Sequence, residues 1–232
     1  MRFVQRGLLG GECVMLQRII SVLAAVVIAL GLGLVVSGTA VAAATPLGGG
    51  SGIIISNETI CTLTTIGRDN GGRLVGITAG HCGGPGSTVV PEDNEGAGVV
   101  GTFVKSNSEL DYAIIEFDPA KVTPVRTVDS ATITSIGQPA SFPAIACKEG
   151  RTTGQTCGVV WGNLSADAQT WTQVCVDHGD SGAPVTVGTT LVAMVNAYLY
   201  VPCLGPELGT NMSSIIADIN SDGGVGAGFQ PI

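Results

Sequence analysis

The sequence predicts an all-β domain of barrel or sandwich type that follows a removable N-terminal segment. From residue 45 onward, short apolar stretches rich in Val, Ile and Thr alternate with Gly, Pro, Asn and Asp, and they recur about every ten residues. The 35 glycines follow no strict period, which argues against collagen and indicates many tight turns. A chain of 232 residues accommodates one such domain or two small ones.

The N-terminal segment has the features of a secretory signal peptide, which we assign to residues 1–44. Three arginines precede an apolar run over residues 19–36, and small residues follow it over 37–45. Cleavage after Ala42 or after Ala44 fits the small-residue pattern. Because the apolar run has 18 residues, a retained membrane anchor is the alternative.

The exported part of the chain is acidic. Removing residues 1–44 takes away three Arg and one Glu, which leaves 7 basic and 17 acidic side chains and a net charge of −10. Such a domain is a poor ligand for the phosphates of nucleic acid, so we expect no nucleic-acid partner. We expect a monomer that is secreted or held in the cell envelope and makes no stable membrane contact after signal cleavage.

Six cysteines remain after the removal of Cys13, and an even number in an exported chain predicts three disulfides. They are Cys61, Cys82, Cys147, Cys157, Cys175 and Cys203. Six cysteines allow fifteen pairings, so their number leaves the connectivity open. The chain has two histidines and no C-x-x-C motif, so we expect no metal site and no cofactor.

The apolar stretches define the candidate elements of the folded domain, residues 53–232, which follows a flexible lead-in over 45–52. Most of them indicate strands, because they are rich in β-branched residues and several alternate. The strand candidates are 74–78, 97–105, 111–117, 131–136, 158–162, 171–176, 183–188 and 190–201. The one helical candidate is 212–221, where apolar residues recur at helical spacing from Met212 to Ile219.

A serine and two histidines carry the candidate chemistry. Ser181 lies in the stretch GDSGAP (179–184), and a serine hydroxyl is a weak nucleophile until a base takes its proton. His81, in TAGHC (78–82), follows a predicted strand. His178 is three residues before Ser181, too close along a tight turn to meet the hydroxyl in line, so His81 is the better candidate base. We expect His178 in an exposed loop, with a contact to substrate as the alternative.

The order of the residues along the chain separates the serine-hydrolase folds. No histidine follows Ser181, which excludes the α/β-hydrolase order for this nucleophile, and Ala183 breaks the G-x-S-x-G elbow. The order Asp, His, Ser would need Asp69, whereas the order His, Asp, Ser uses Asp111. We favour Asp111, because the head of an apolar strand is a suitable place to bury a carboxylate beneath an imidazole.

The motifs TAGHC, LDYAII and GDSGAP, in this order, resemble those of the chymotrypsin-like (trypsin-fold) serine proteases. The stretch CKEGRTTGQTCG (147–158) is similar to the C-R-x-G-x-T-T-G-x-x-C-G segment of the bacterial streptogrisin and α-lytic branch. The resemblance covers roughly residues 53–225. It implies a double β-barrel with the active site in the cleft between the barrels and a short C-terminal helix.

The resemblance also implies a role for each motif residue. Ser181 would be the nucleophile, His81 the general acid and base, and Asp111 the group that orients the imidazole. The N–H groups of Gly179 and Ser181 would form an oxyanion hole. The implied disulfides are Cys61–Cys82, Cys147–Cys157 and Cys175–Cys203.

Asp180 needs a buried partner if the resemblance holds. In animal members the matching aspartate pairs with a new N-terminus released by cleavage, but the lead-in here lacks the I-V-G-G start. In the bacterial branch an arginine after the first cysteine of the 147–158 stretch does this, and this chain has Lys148 there. We predict that Lys148 pairs with Asp180 and that no N-terminal cleavage is needed.

The substrate pocket is where the sequence departs most from the family. The residues predicted near it are Gln173, Val174, Asn196, Ala197 and Tyr198. Tyr198 and Tyr200 stand where glycines are expected, so the pocket is narrowed or its loop is re-routed. Asn196 or Ala197 falls near the serine that usually supports the catalytic aspartate. The pocket base carries no aspartate, which argues against a preference for Arg or Lys.

Two functions fit these observations. The first is a secreted serine endopeptidase that hydrolyses polypeptides through an acyl-enzyme. The second is a binding module of the same fold with an occluded pocket and little or no activity, which the tyrosine at 198 favours and the intact set of Ser181, His81 and Asp111 opposes.

Overall fold

Stretches rich in Val, Ile and Thr form nineteen short strands in the part of the chain that the computed structural model describes, residues 43–163 and 168–232. The predicted signal segment lies outside these residues apart from Ala43 and Ala44. The first strands are β1 (Thr45–Leu47), β2 (Gly52–Ile55), β3 (Thr59–Thr62), β4 (Thr65–Arg68), β5 (Leu74–Ala79), β6 (Thr88–Pro91), β7 (Gly101–Asn107), β8 (Tyr112–Phe117) and β9 (Val122–Pro124). The later ones are β10 (Thr127–Val128), β11 (Ala131–Thr132), β12 (Ser135–Ile136), β13 (Ile145–Gly150), β14 (Gly154–Gly162), β15 (Gln169–Thr172), β16 (Pro184–Val187), β17 (Thr190–Tyr198), β18 (Glu207–Asn211) and β19 (Gln230–Pro231).

The first barrel is an open, eight-stranded antiparallel sheet in the order β19-β4-β5-β8-β7-β6-β2-β3. Its central pair is β5 with β8, in which Ile77 lies opposite Ile114. Both strands are buried almost throughout, which explains why their sequences are nearly continuous apolar runs. This pair forms the centre of the larger apolar core.

The second barrel is closed. Its sheet order is β12-β17-β16-β13-β14-β15-β18, and an additional pairing of β17 with β18 joins six of these strands in a ring. The core inside it consists of small apolar side chains, mainly Val and Ala. Strand β17 contributes to both cores, since Leu191 and Met194 pack into the first and Val192 and Val195 into the second. Strand β17 belongs to the sheet of the second barrel, but its side chains lie in both cores, so it forms a wall between them.

Residues 45–52 are not the flexible lead-in that the sequence predicts. Strand β1 pairs in parallel with β9, so that Thr45 lies opposite Val122, and Leu47 is buried in the first core. The Gly50 N–H donates to the Leu63 carbonyl. The expectation is wrong because the segment gains its order from chain far away in sequence, which its glycine-rich composition does not reveal.

The predicted helix is present as α1 (Met212–Asp222) and is the one α-helix of residues 43–163 and 168–232. Its buried residues Met212, Ile215 and Ile219 pack into the first core. It ends at Gly223, whose φ of +69° is a conformation that glycine adopts without steric cost. No helix in this described part of the chain is long and apolar enough to cross a membrane.

Asp69, the alternative partner for His81, lies instead in the turn between β4 and β5. Its carboxylate is fully buried and accepts hydrogen bonds from the N–H groups of Gly71, Arg73 and Gly226 and from Arg73 Nε, at 2.7 to 3.0 Å. Burial by itself raises the pKa of Asp69, but these hydrogen bonds lower it by more, so that the net pKa lies below the ordinary value. Asp69 is therefore a structural residue that joins this turn to the C-terminal segment.

We predict that Asp69→Asn destabilises the fold by about 1–3 kcal/mol at neutral pH, because the amide cannot accept all four hydrogen bonds. A carboxyl whose pKa is lowered on folding stabilises the fold above its unfolded pKa, and this contribution is lost as the pH falls through the folded value. The measurement is urea unfolding at pH 7 and at pH 3, where the gap between wild type and variant should narrow. Asp93→Asn, at an exposed position, is the control, and an equal gap at both pH values would contradict the prediction.

Candidate active site

His81 lies within hydrogen-bond distance of both Asp111 and Ser181, where the first barrel meets the second. His81 Nδ1 is 2.8 Å from Asp111 Oδ2, and His81 Nε2 is 2.8 Å from Ser181 Oγ. The backbone N–H of His81 also donates to Asp111 Oδ1 at 2.7 Å. The imidazole therefore lies between a carboxylate and a hydroxyl, with each ring nitrogen facing one of them.

Two neighbouring strands of the first barrel place His81 and Asp111 together. His81 lies in a single 3-10 turn, Gly80–Cys82, directly after β5, and Asp111 directly precedes β8. Because β5 and β8 are antiparallel, the end of one lies beside the start of the other, and the Gly80 N–H donates to the Asp111 carbonyl at 2.9 Å. Asp111 has a φ of +47°, an uncommon conformation for a residue other than glycine, which turns its carboxylate back toward His81.

Ser181 lies in a glycine turn of the second barrel. Gly179 and Gly182 have φ values of +95° and +84°, which glycine alone adopts at low cost. A Cβ at Gly182 would also collide with the Thr62 carbonyl and the Thr78 hydroxyl of the first barrel. Within the described residues, the N–H groups of Gly179 and Ser181 donate to no protein acceptor, whereas those of their neighbours do. These two donors are therefore available to a ligand.

Asn196 belongs to this cluster as well as to the predicted pocket. Its Nδ2 donates to both Oδ2 and the carbonyl of Asp111, each at 2.8 Å, and its Oδ1 accepts the Thr210 N–H at 2.9 Å. The sequence suggested either Asn196 or Ala197 for the support of the aspartate, and the contact is made by Asn196. Thr210 Oγ1 donates to the carbonyl of Leu110, so that the second barrel holds the backbone on both sides of the Asp111 carboxylate.

The hydrogen bonds of the cluster shift its pKa values in opposite directions. The hydrogen bond that His81 Nδ1 donates to Asp111 raises the pKa of His81, and burial opposes this only in part. Burial raises the pKa of Asp111, but hydrogen bonds from His81 and Asn196 outweigh it, and the net pKa is lowered. Asp111 therefore remains ionised and favours the protonated imidazole.

Lys148 and Asp180 form a fully buried ion pair below the serine turn. Lys148 Nζ is 3.4 Å from Asp180 Oδ2 and also donates to Thr153 Oγ1 and to the Gly154 carbonyl. Asp180 accepts hydrogen bonds from the N–H groups of Thr152, Thr153 and Asp177. Both charges are thus satisfied without water, which is the condition for a buried pair to be tolerated.

A second buried carboxyl near Lys148 was not anticipated from the sequence. Glu207 is fully buried in β18 and accepts a hydrogen bond from Thr172 Oγ1 at 2.6 Å, while its Oε1 has no partner among the described residues. Burial raises the pKa of Glu207 to about 8, so it is mostly neutral at pH 7. The sequence does not predict that Glu207 is buried, because glutamate is seldom fully buried in proteins.

The cavity beside Ser181 has a volume of about 360 Å³. The residues that line it are His81, Val176, Asp177, His178, Ser181, Asn196, Ala197 and Tyr198. The prediction that Gln173 and Val174 lie at the pocket base needs correction. Val174 is buried in the second core, and Gln173 instead hydrogen-bonds Trp161 Nε1 and the Leu204 carbonyl.

Three lining residues come from the segment 176–178, of which the sequence pointed only to His178, as the alternative to an exposed loop position. It follows Cys175 directly, and the disulfide Cys175–Cys203 holds it against the segment after Tyr198. Only the position of this segment in the sequence could have predicted its place in the cavity. Residues between a disulfide-bonded cysteine and the turn that carries Ser181 must lie close to Ser181. The structure also contains the disulfides Cys61–Cys82 and Cys147–Cys157, the pairs that the family resemblance implies.

The fold and the order of these elements define a chymotrypsin-like double barrel, and solved structures confirm this fold. Thermobifida fusca protease A superimposes with a TM-score of 0.65 at 21% sequence identity, over 76% of this chain and 97% of that one. A Nocardiopsis protease has a TM-score of 0.65 at 23% identity, over 76% of this chain and 97% of that one. Cellulomonas bogoriensis chymotrypsin has a TM-score of 0.63 at 23% identity, over 81% of this chain and 98% of that one. The sequence matches no protein-family model and no curated protein. At these sequence identities the structural similarity establishes the fold. This fold is of the kind found in the bacterial streptogrisin and α-lytic branch.

We predict that Lys148→Ala disorders the turn 177–181 and destabilises the fold by about 3–5 kcal/mol, because it leaves Asp180 buried without its cation. The measurement is thermal unfolding together with hydrogen exchange of the amides in this turn. Lys121→Ala removes a lysine at an exposed position and is the control. Unchanged protection of the 177–181 amides in Lys148→Ala would show that the pair does not order the turn.

Proposed function

We propose that the chain is an exported serine endopeptidase that cleaves polypeptides through an acyl-enzyme. The observation that carries the proposal is the alignment of Ser181 Oγ, the imidazole of His81 and the Asp111 carboxylate through two 2.8 Å contacts. Two unpaired N–H donors beside the hydroxyl support it, since acyl transfer requires stabilisation of an oxyanion. The fold supports it further, because its solved neighbours include proteases.

In this mechanism Ser181 Oγ attacks the carbonyl carbon of the scissile bond while His81 Nε2 takes the hydroxyl proton. The oxyanion that forms accepts hydrogen bonds from the N–H groups of Gly179 and Ser181. The tetrahedral intermediate collapses to the acyl-enzyme as His81 gives its proton to the leaving amine. A water molecule then attacks the acyl carbon, again with His81 as base, and releases the acid and Ser181. Asp111 keeps the Nδ1–H tautomer and stabilises the imidazolium.

A free strand edge beside the cavity supports a polypeptide as substrate. The Leu199 N–H donates to the Pro206 carbonyl at 3.0 Å, so the alternation of an antiparallel pair directs the N–H and C=O of Tyr198 away from β18. On the side of β17 that faces away from β18, strand β16 pairs with β17 only as far as Met194. An extended peptide can therefore add to this edge as an additional strand.

Export is supported by two features. Three disulfides join six cysteines, which is typical of oxidising compartments. The first strand of the fold begins at Thr45, directly after the predicted cleavage site at Ala44. These features support our proposal that the domain functions outside the cytoplasm.

The binding module remains the second candidate, because Tyr198 lines the cavity and its hydroxyl lies 3.3 Å from Nε2 of His178, another lining residue. If the Tyr198 and His178 side chains exclude every substrate from the cavity, Ser181, His81 and Asp111 would catalyse no reaction. Reactivity of Ser181 decides between the two functions.

We predict that a fluorophosphonate probe labels Ser181 in the folded, oxidised protein, because the probe needs an activated hydroxyl and an oxyanion hole but no side-chain pocket. The measurement is the mass of the labelled protein and the position of the adduct. Ser181→Ala should abolish labelling, and Ser108→Ala, at an exposed serine, should label like wild type. No labelling of the folded wild-type protein would favour the binding module.

We predict that kcat/KM rises with pH through an apparent pKa above the ordinary histidine value of about 6.5, because His81 must be neutral to accept a proton and Asp111 raises its pKa. Asp111→Asn should move this inflection to lower pH and reduce kcat/KM by up to about 10⁴-fold. The measurement is the pH profile of peptide hydrolysis. Glu109→Gln removes an exposed negative charge nearby and should shift the inflection less. An inflection that stays in place in Asp111→Asn would contradict the role of Asp111.

A further inference from the structure

Arg151 and Thr152 belong to the family-like stretch 147–158 but have no role in the proposed mechanism. They lie in the turn between β13 and β14. A Cβ at Gly179 would collide with the Thr152 hydroxyl and would lie 3.0 Å from Arg151 Cδ. The two side chains are therefore packed against the backbone of the turn that carries Ser181.

The Thr152 hydroxyl has a single proton, and its two contacts determine where that proton goes. Arg151 Nη1 is 3.1 Å from Thr152 Oγ1, and a guanidinium can only donate a hydrogen bond. The hydroxyl proton is therefore directed to the carbonyl of His178, 2.7 Å away.

The His178 carbonyl and the Gly179 N–H belong to one peptide group, which is trans. In a trans peptide the C=O and the N–H point to opposite sides. The Thr152 hydroxyl therefore holds the Gly179 N–H pointing away from itself, where it meets no acceptor among residues 43–163 and 168–232. Without this hydrogen bond the peptide group could rotate, because the glycine at 179 offers little steric resistance.

A second threonine repeats this arrangement on the next peptide group. The Arg151 N–H donates to Thr62 Oγ1 at 3.2 Å, and Thr62 Oγ1 donates to the Gly179 carbonyl at 2.9 Å. Glu92, from the first barrel, accepts two hydrogen bonds from the Arg151 guanidinium, one of them from Nε to Oε2 at 2.8 Å. Arg151 thus directs two hydroxyl protons toward the carbonyls on both sides of the Gly179 Cα.

We propose that Thr152, oriented by Arg151, is a positioning residue that keeps the Gly179 N–H directed toward the oxyanion during the reaction. This inference rests on the proposed protease function and adds a device that acts through a peptide group and not on the substrate. Because Thr152 is exposed, the loss of its hydroxyl should affect this orientation more than the stability of the fold.

The test measures the rate constant with which an alkyl fluorophosphonate labels Ser181, because the phosphoryl oxygen of the probe needs the oxyanion donors and no peptide substrate has to be known. Thr152→Val keeps the shape of the side chain and removes the hydroxyl. It should lower the rate by about 10- to 100-fold, at or below the cost of removing one oxyanion donor. Thr152→Ser keeps the hydroxyl and should retain most of the rate.

Two further measurements separate positioning from a structural role. The pH dependence of labelling should keep its inflection in Thr152→Val while the plateau rate falls, because His81 and Asp111 are unchanged. The thermal unfolding midpoint of Thr152→Val should stay close to that of wild type. Thr134→Val is the matched control, since it makes the same change at an exposed threonine whose hydroxyl contacts Thr189, and it should label like wild type.

A double-mutant cycle tests the role of Arg151. Arg151→Met removes the guanidinium but keeps the N–H that donates to Thr62. It should lower the labelling rate by a smaller factor in the Thr152→Val background than in wild type, because its effect on the Gly179 peptide group passes through the Thr152 hydroxyl. Equal factors in both backgrounds would show that Arg151 does not orient Thr152.

The outcomes separate the inference from the proposed function. Ser181-dependent labelling of wild type with an unchanged rate in Thr152→Val would overturn the inference and leave the protease function standing. A loss of rate that Thr152→Ser shares, or that Thr134→Val shows equally, would overturn it as well. Absence of Ser181-dependent labelling in the folded wild-type protein would remove the protease function and the inference with it.

Discussion

Hydrogen bonds between the barrels determine where Ser181 lies relative to His81. The Thr62 N–H donates to the Ser181 carbonyl at 2.8 Å, and Thr62 Oγ1 donates to the Gly179 carbonyl at 2.9 Å. Thr64 Oγ1 donates to the Gly182 carbonyl at 2.6 Å. Since both threonines are fully buried, sliding one barrel over the other would leave polar groups unpaired at about 1–3 kcal/mol each. The 2.8 Å contact between His81 Nε2 on the first barrel and Ser181 Oγ on the second depends on this restraint.

The serine turn is also held from its other side. Asp180 points into the second barrel, where Lys148 and three backbone N–H groups satisfy its carboxylate. Ser181, the next residue, is thereby turned toward the cleft. The turn is fixed between the threonines of one barrel and the buried charge of the other, so the N–H groups of Gly179 and Ser181 are held in place, as the acyl transfer that we propose would require.

Asn196 links the reacting residues to the wall of the cavity. It donates to Asp111, and it lies two residues before Tyr198 on the same strand. The strand β17 that carries both is the common wall of the two cores. This strand therefore carries both the amide that contacts the Asp111 carboxylate and a tyrosine that lines the cavity.

Local chemistry made much of this protein predictable from the sequence. The buried runs at β5 and β8, the helix α1 and the glycine turn around Ser181 are each determined by residues adjacent in the chain. The same holds for the choice of Asp111 over Asp69, because chain order and an apolar neighbour suffice for it. Short strands such as β1 escaped prediction, since their partners lie far away in sequence and their own residues carry little signal.

Only the tertiary structure decided which residues face the cavity. Val174 and Val176 are the same residue type two positions apart and both belong to the second core, yet only Val176 also lines the cavity. The contacts of Asn196 with Asp111 and of Tyr198 with His178 likewise join segments distant in sequence. The physical reason is that the direction of a loop side chain depends on how segments distant in sequence pack against each other. The sequence shows which chemical groups a segment carries, but it does not show that packing.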